Sequence, residues 1–117
     1  MKIESKYIDC IKTEVDFSIG GNAAENFDII DAAEPTDLWF HIENESSCHV
    51  IAHLPNDIKL NKKQTNKIIK QGAVLCKQYS RYANQLNVNV IYTKIENVTK
   101  TDKVGAVIAV NTKLETI

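Results

Sequence analysis

A stretch without acidic residues, at about 61–86, constrains the fold of this chain more than any other feature. Asn61 and Gln64 have the spacing of a capping box, which marks the start of a helix. Apolar or small residues then recur at intervals of three and four, within an arc of about 80°: Ile68, Gly72, Leu75, Tyr79, Tyr82 and Leu86. The pattern predicts one long amphipathic helix that packs on a sheet.

The opposite side of this predicted helix is cationic. Its charged residues fall within a second arc of about 80°: Lys63, Lys67, Lys70, Lys77 and Arg81. Like charges four residues apart destabilise a helix by roughly 0.2–0.5 kcal/mol per pair, and no acid in the stretch offsets this cost. Two interpretations stay open from these residues: a face that contacts an anion such as a nucleic acid, and a face that is merely solvated.

The first third of the chain predicts a strand followed by a short helix. Val15, Phe17 and Ile19 alternate with polar residues, which is the period of a half-buried strand. Asn22 and Glu25 again have capping-box spacing, and they predict a helix over about 22–33.

Apolar runs at about 37–43 and 48–54 are separated by four polar residues, which predicts a β-hairpin. Further strands are predicted at 88–93 and 106–110, and an edge strand at 113–117. The order of elements predicts an α+β domain with a mostly antiparallel sheet. The short helix follows the first strands, and the long amphipathic helix packs on one face.

Length and composition favour a single domain over residues 1–117. With 44% hydrophobic and 25% charged residues, the chain resembles an ordinary soluble globular protein. No apolar stretch reaches the 18 residues that a membrane span needs, so we expect no membrane partner. The 3 cysteines are odd in number and form no C-x-x-C pair, which favours free thiols in a reducing compartment and a cytoplasmic protein.

The net charge of −1 conceals a strong asymmetry. Residues 1–57 contain 12 Asp and Glu against 3 Lys, whereas residues 58–117 contain 11 Lys and Arg against 3 Asp and Glu. This distribution favours an anionic partner for the second half of the chain.

The predicted hairpin is the first candidate for a functional site. Trp39 and His41 share one face of its first strand, and Ser47 and His49 follow within one short ribbon. Such groups could hydrogen-bond phosphate or ribose, although Trp39 is also a common core residue and a strand histidine is often structural. Asp37 could simply cap the start of the strand.

Two kinds of chemistry remain as alternatives for the hairpin. Zinc would use the three histidines and Cys48, but Cys48 and His49 are adjacent and point to opposite faces of a strand. Nucleophilic catalysis would pair Ser47 or Cys48 with His41 or His49, oriented by Asp37. No nucleophile elbow or glycine-rich oxyanion loop accompanies them, so we predict no enzyme, no metal and no cofactor. The pair Gly20 and Gly21 before a helix is a weak phosphate-binding signal.

Taken in order, these residues resemble the NFACT-R family, the RNA-binding module of the NFACT proteins of ribosome-associated quality control. The resemblance covers about residues 15–110, and its segments follow the family order: 20–26, 37–41, 46–49, 80–81, 87–93 and 100–105. The chain is most similar to the small stand-alone members, which share the serine pair before His49. Gly21 departs from the family's usual Lys or Arg, and Phe27 from its usual acid.

The resemblance implies a non-catalytic domain that binds structured RNA, with tRNA, rRNA or the ribosome as the class of partner. From the residues and the resemblance together, we predict these RNA-binding residues: Asn22, Asn26, Asp37, Trp39, His41, Ser47, His49, Lys63, Lys67, Lys70, Lys77, Arg81, Lys100 and Lys103. The alternative is a protein-interaction module of a ribosome-associated assembly, which would use acids of the first half: Glu25, Asp28, Asp31 and Glu34.

Overall fold

The computed structural model describes residues 1–117. Two helices are present, α1 (Ala23–Asp31) and α2 (Lys62–Gln78). Eight strands accompany them: β1 (Lys2–Ile8), β2 (Thr13–Ile19), β3 (Leu38–Ile42), β4 (Val50–His53), β5 (Asn89–Lys94), β6 (Val98–Lys100), β7 (Val107–Ala109) and β8 (Lys113–Thr116). Six strands form one antiparallel sheet in the order β1-β2-β4-β3-β5-β8, and β6 and β7 form a separate two-stranded ribbon. The predicted α+β class is confirmed.

The start of α2 and its packing follow the prediction. The Asn61 side chain accepts from the Gln64 amide, and the Gln64 side chain accepts from the Asn61 amide. The apolar side of α2 is buried against the sheet, and Gly72 lies directly over the Phe40 ring. A side chain at Gly72 would overlap this ring, which explains why a glycine stands inside the helix.

The predicted end of α2 is wrong, because the helix stops at Gln78 rather than near 86. The Ser80 hydroxyl donates to the Lys77 carbonyl and accepts from the Tyr82 amide, so it replaces the next helical hydrogen bonds. Tyr79 and Tyr82 still pack against the core from the turn that follows, which is why the apolar spacing continues beyond the helix. Leu86 is 83% exposed.

The short helix α1 is also slightly shorter than predicted. Asn22 caps it by accepting from the Glu25 amide, but the Glu25 carboxylate accepts from Gly21 instead of closing a capping box. The helix ends at Asp31, two residues before the predicted end, which is an ordinary difference at a helix terminus.

The predicted hairpin is confirmed, with Trp39 opposite Ile51 in the β3–β4 pair. Its connection is longer than four residues because the Ile42 amide bonds to the Ser47 hydroxyl and the His49 carbonyl accepts from Gly20. Segment 43–49 therefore lies outside the ladder, and we refer to it as the hairpin linker.

The remaining strands were predicted in part. Strand β5 lies between β3 and β8, and β8 forms an edge, as expected. The strand expected near 106–110 is β7, which pairs with β6 outside the main sheet. Strands β1 and β6 were missed.

The sheet separates two hydrophobic cores. Alternate residues of β3 point to opposite sides, so Phe40 faces α2 while Trp39 faces α1 and the β6–β7 ribbon. Ile29 and Ile30 of α1 pack with Trp39 in the smaller core. Any site beside Trp39 therefore lies on the face of the sheet that α2 does not cover.

Candidate nucleic-acid interface

An open cleft of about 780 Å³ lies on the Trp39 face of the sheet. The start of α1, the hairpin linker and the turn before β7 surround it. Gly105, whose φ is 85°, brings this turn so close to α1 that an added Cβ would lie 2.7 Å from that of Ala23. Seven of the predicted site residues line the cleft: Asn22, Asn26, Trp39, His41, Ser47, His49 and Lys103.

Three aromatic rings form the floor of the cleft. Trp39 is only 2% exposed and stacks on His41, with ring centroids 5.6 Å apart and planes within 9°. His49 stands edge-on to both, at 5.4 Å from Trp39 and 5.0 Å from His41. Trp39 is therefore a support that orients the two imidazoles, and it offers little ring surface on which a base could stack.

Hydrogen bonds define the tautomer of each imidazole. His49 Nδ1 accepts from the Trp39 indole N–H at 3.2 Å, so its proton is on Nε2. His41 Nδ1 lies 2.7 Å from the Ile42 carbonyl, which can only accept, so its proton is on Nδ1. Neither Nε2 has a protein partner. The imidazoles that line the cleft thus leave two nitrogens without a protein partner: a donor on His49, which is 2% exposed, and an acceptor on the half-buried His41.

Both imidazoles are held in the neutral form. Burial, with a smaller effect from His41, lowers the pKa of His49 to about 3. Burial also lowers the pKa of His41, while its bond to the Ile42 carbonyl acts in the opposite direction. The donor and the acceptor are therefore both available at neutral pH.

Asn26 positions the histidine pair through the backbone of His49. Its side-chain oxygen accepts from the His49 amide at 3.1 Å, and the Gly20 amide donates to the His49 carbonyl at 3.0 Å. A side chain at Gly20 would overlap the Asn26 side chain. Gly20 and Asn26 thus hold the hairpin linker against α1, and the side-chain nitrogen of Asn26 has no protein partner.

Other cleft residues are also partly engaged. The Ser47 hydroxyl accepts from Ile42 and donates to the Cys48 carbonyl. Asn22 is exposed, but its side-chain oxygen caps α1. The Glu25 carboxylate, which pairs with the N-terminal amine at 2.6 Å, lies at the start of α1 and opposes an anion there.

Asp37 lies outside the cleft. Its buried carboxylate accepts from the amides of Glu34 at 2.9 Å and Leu54 at 3.0 Å. It also contacts His53 Nδ1 at 3.2 Å, and His53 Nε2 lies 2.6 Å from the Ser18 hydroxyl. This chain of contacts ties β2, β4 and the start of β3 together.

The catalytic arrangement considered from the sequence is not assembled. Asp37 orients His53 rather than His41 or His49, because β4 ends beside the start of β3. Ser18, which completes a Ser-His-Asp connectivity, is 5% exposed and does not line the cleft. No group of three or more His, Cys, Asp or Glu side chains could hold a metal ion. No helix has the length and apolarity that crossing a membrane requires.

The predicted cations divide between two faces. Lys63, Lys67 and Lys70 are exposed on α2, across the sheet from the cleft, and only Tyr79 at the end of this helix reaches the cleft margin. The amine of Lys77 donates to the Ile117 carbonyl at 3.1 Å.

Lys100 is engaged as well. It pairs with Asp31 at 2.5 Å and lies over the Phe27 ring, 5.2 Å from its centroid. Five of the seven predicted cations therefore stay exposed without an ion pair: Lys63, Lys67, Lys70, Arg81 and Lys103.

Comparison with known proteins identifies the family of this chain. The family model of the NFACT protein RNA binding domain matches residues 7–111, so the chain belongs to this family. Membership confirms the resemblance found in the sequence and supports an RNA-binding role for the domain.

Individual relatives are small stand-alone proteins. Coiled-coil domain-containing protein 25 of Mus musculus is 34% identical over 84 residues, which cover 71% of this chain and 40% of the relative. The homolog of that protein in Dictyostelium discoideum is 33% identical over 101 residues, which cover 81% of this chain and 46% of the relative. The chain thus spans less than half the length of these relatives.

A solved structure has the same fold. The C-terminal part of the fibronectin/fibrinogen-binding protein from Streptococcus suis superimposes with a TM-score of 0.76 at 20% identity. The match covers 88% of this chain and 41% of that one.

Proposed function

We propose that residues 1–117 act as one non-catalytic RNA-binding domain, and that the cleft holds a ribose of the bound strand. The single observation that carries this proposal is the histidine pair, with its free donor on His49 and its free acceptor on His41. A ribose 2′-hydroxyl is both an acceptor and a donor, so it matches this pair. DNA has no hydroxyl at that position.

Phosphates flanking this ribose meet positive potential at the rim of the cleft. Lys103 is exposed there without an ion pair. The first amides of α1 have no intrahelical partner and favour an anion, although Glu25 reduces the attraction. Asn22 and the free amide nitrogen of Asn26 add donors on the same side.

The exposed lysines of α2 form a second RNA-contacting surface on the other face of the protein. The two surfaces lie on opposite sides of the protein. An RNA that contacts both must therefore extend around it and past α2, and an α-helix alone is about 10–12 Å in diameter. A folded RNA such as tRNA or rRNA is large enough, and we propose it as the ligand, in the ribosome-associated quality-control setting that the family resemblance implies. We also propose a cytoplasmic location, because the three cysteines are free thiols, as expected in a reducing compartment.

The protein-interaction alternative has weaker support. Of the four acids on or near α1, Glu25 pairs with the N-terminal amine and Asp31 pairs with Lys100. Asp28 and Glu34 alone remain exposed for a basic partner. A pull-down from lysate with and without nuclease separates the two functions, since partners of an RNA-binding domain are lost with the RNA.

Fluorescence anisotropy with a tRNA and with matched RNA and DNA oligonucleotides tests the proposal. His41→Phe keeps a ring stacked on Trp39 but removes the acceptor nitrogen, so preference for RNA over DNA should fall. Tyr7→Phe, on the exposed face of β1, is the control and should change nothing. If about five phosphates are neutralised, the slope of log affinity against log salt should be roughly −3.5 to −4.5. An unchanged RNA preference in folded His41→Phe contradicts the ribose assignment, and a flat salt dependence contradicts RNA binding through these cations.

A further inference from the structure

Two cysteines that are distant in the sequence meet where the hairpin linker passes the C-terminal half of α2. The Cys48 sulfur lies 3.9 Å from the Cys76 carbonyl oxygen, and the Cys76 sulfur lies 3.9 Å from the Cys48 carbonyl oxygen. This reciprocal arrangement places both side chains in the space between the two backbones. The two thiols, both free in this structure, therefore lie beside each other.

The two thiols differ in accessibility and in acidity. Cys48 is half-buried and lines the cleft, whereas Cys76 is fully buried on α2. A hydrogen bond from the Cys76 thiol lowers the pKa of Cys48, although burial acts in the opposite direction. The same bond, together with burial, raises the pKa of Cys76 well above its ordinary value.

We propose that Cys48 and Cys76 form a redox-active pair that closes to an intramolecular disulfide when the protein meets a hydroperoxide. Cys48 is the residue that the oxidant reaches, and Cys76 is the resolving residue. Cys10, exposed beyond the other end of α2 near Gln64, takes no part.

The chemistry needs two steps and one hydroperoxide. The Cys48 thiolate attacks one peroxide oxygen, the O–O bond breaks, and the leaving oxygen takes a proton, which yields a sulfenic acid on Cys48. The Cys76 sulfur then attacks the Cys48 sulfur, the S–O bond breaks, and the hydroxyl leaves as water with the Cys76 proton. Two thiols are oxidised by two electrons, and the peroxide is reduced by two.

The bond itself can be read directly, because trypsin places the three cysteines on three different peptides: 7–12, 13–59 and 71–77. The folded full chain is treated with a small molar excess of hydrogen peroxide, free thiols are blocked with iodoacetamide, and the digest is analysed without reduction. We expect peptides 13–59 and 71–77 to be joined, two hydrogens lighter than their sum, and separated again by dithiothreitol. Peptide 7–12 should remain alkylated.

Variants assign the two roles. Cys10→Ser is the matched control and should still form the disulfide. Cys76→Ala should stop at a Cys48 sulfenic acid that dimedone traps, and Cys48→Ser should leave the buried Cys76 thiol unreacted. Crosslinks through Cys10, conversion of wild-type Cys48 to sulfinic acid without a disulfide, or no reaction of Cys48 would each overturn the proposal. The wild-type result alone decides the main point even if a variant fails to fold.

Discussion

Acidification should destabilise this protein through one buried imidazole. Folded His49 has a pKa of about 3, whereas an unfolded histidine titrates near 6.5. At a pH between these two values, His49 is protonated in the unfolded chain but neutral in the folded chain. The free energy of unfolding therefore falls as the pH falls. Each pH unit below 6.5 costs about 1.4 kcal/mol, which amounts to about 2 kcal/mol at pH 5. His41, whose pKa is also lowered, contributes in the same direction.

Urea unfolding of the wild type and of His49→Gln at pH 7, 6 and 5 measures this effect. Glutamine can accept from the Trp39 indole but does not titrate, so its variant should lose about 2 kcal/mol less stability between pH 7 and pH 5. The carboxylates are the same in both proteins, so their effect on stability cancels when the two pH dependences are subtracted. Identical pH dependence of the two proteins would refute the reasoning, and so would a wild type that gains stability on acidification.

Three further predictions concern surfaces and packing. Gly72→Ala should lower the free energy of unfolding in urea, because overpacking against Phe40 costs about 1–3 kcal/mol and exceeds the gain in helix propensity of about 1 kcal/mol; unchanged stability would contradict this contact. Gly21→Lys should be accommodated, since the new Cβ meets only the Glu25 side-chain oxygen, at 3.0 Å. The added cation at the cleft should steepen the salt slope of RNA binding by about 0.7–0.9. An unchanged slope would argue that no phosphate lies there. Replacing Lys63, Lys67 and Lys70 by Ala should weaken tRNA binding more than replacing the exposed Lys59, Lys94 and Lys113 by Ala. Stability should change by less than about 0.5 kcal/mol in either case. Equal losses of tRNA affinity in the two variants would remove α2 from the interface.

Local signals made much of the fold predictable. Three features follow from residues only a few positions apart in the sequence, so they could be predicted: the capping residues of α2, the alternation in β2, and the opposite faces of Trp39 and Phe40. The end of α2 was misplaced because Tyr79 and Tyr82 keep touching the core after the helix has stopped. Strand β1 was missed because an edge strand buries little and shows no clear alternation.

The candidate site was predictable as a set of residues but not as a geometry. The order of strands in the sheet decides that Asp37 meets His53, and it puts the lysines of α2 across the sheet from the cleft. The pairing of Lys100 with Asp31 spans 69 residues, and no local pattern signals it. Cys48 and Cys76 appeared unrelated for the same reason.

Imidazole nitrogen chemical shifts during an RNA titration test the central claim most directly. The free protein, labelled with ¹⁵N at histidine, should show His49 protonated on Nε2 and His41 protonated on Nδ1. Addition of an RNA oligonucleotide should move both Nε2 signals, while its 2′-deoxy counterpart should move them far less. His53, which is bonded to Asp37 and Ser18 outside the cleft, serves as the internal reference. Saturating RNA that leaves the His41 and His49 signals in place would contradict the assignment of this cleft as the RNA site.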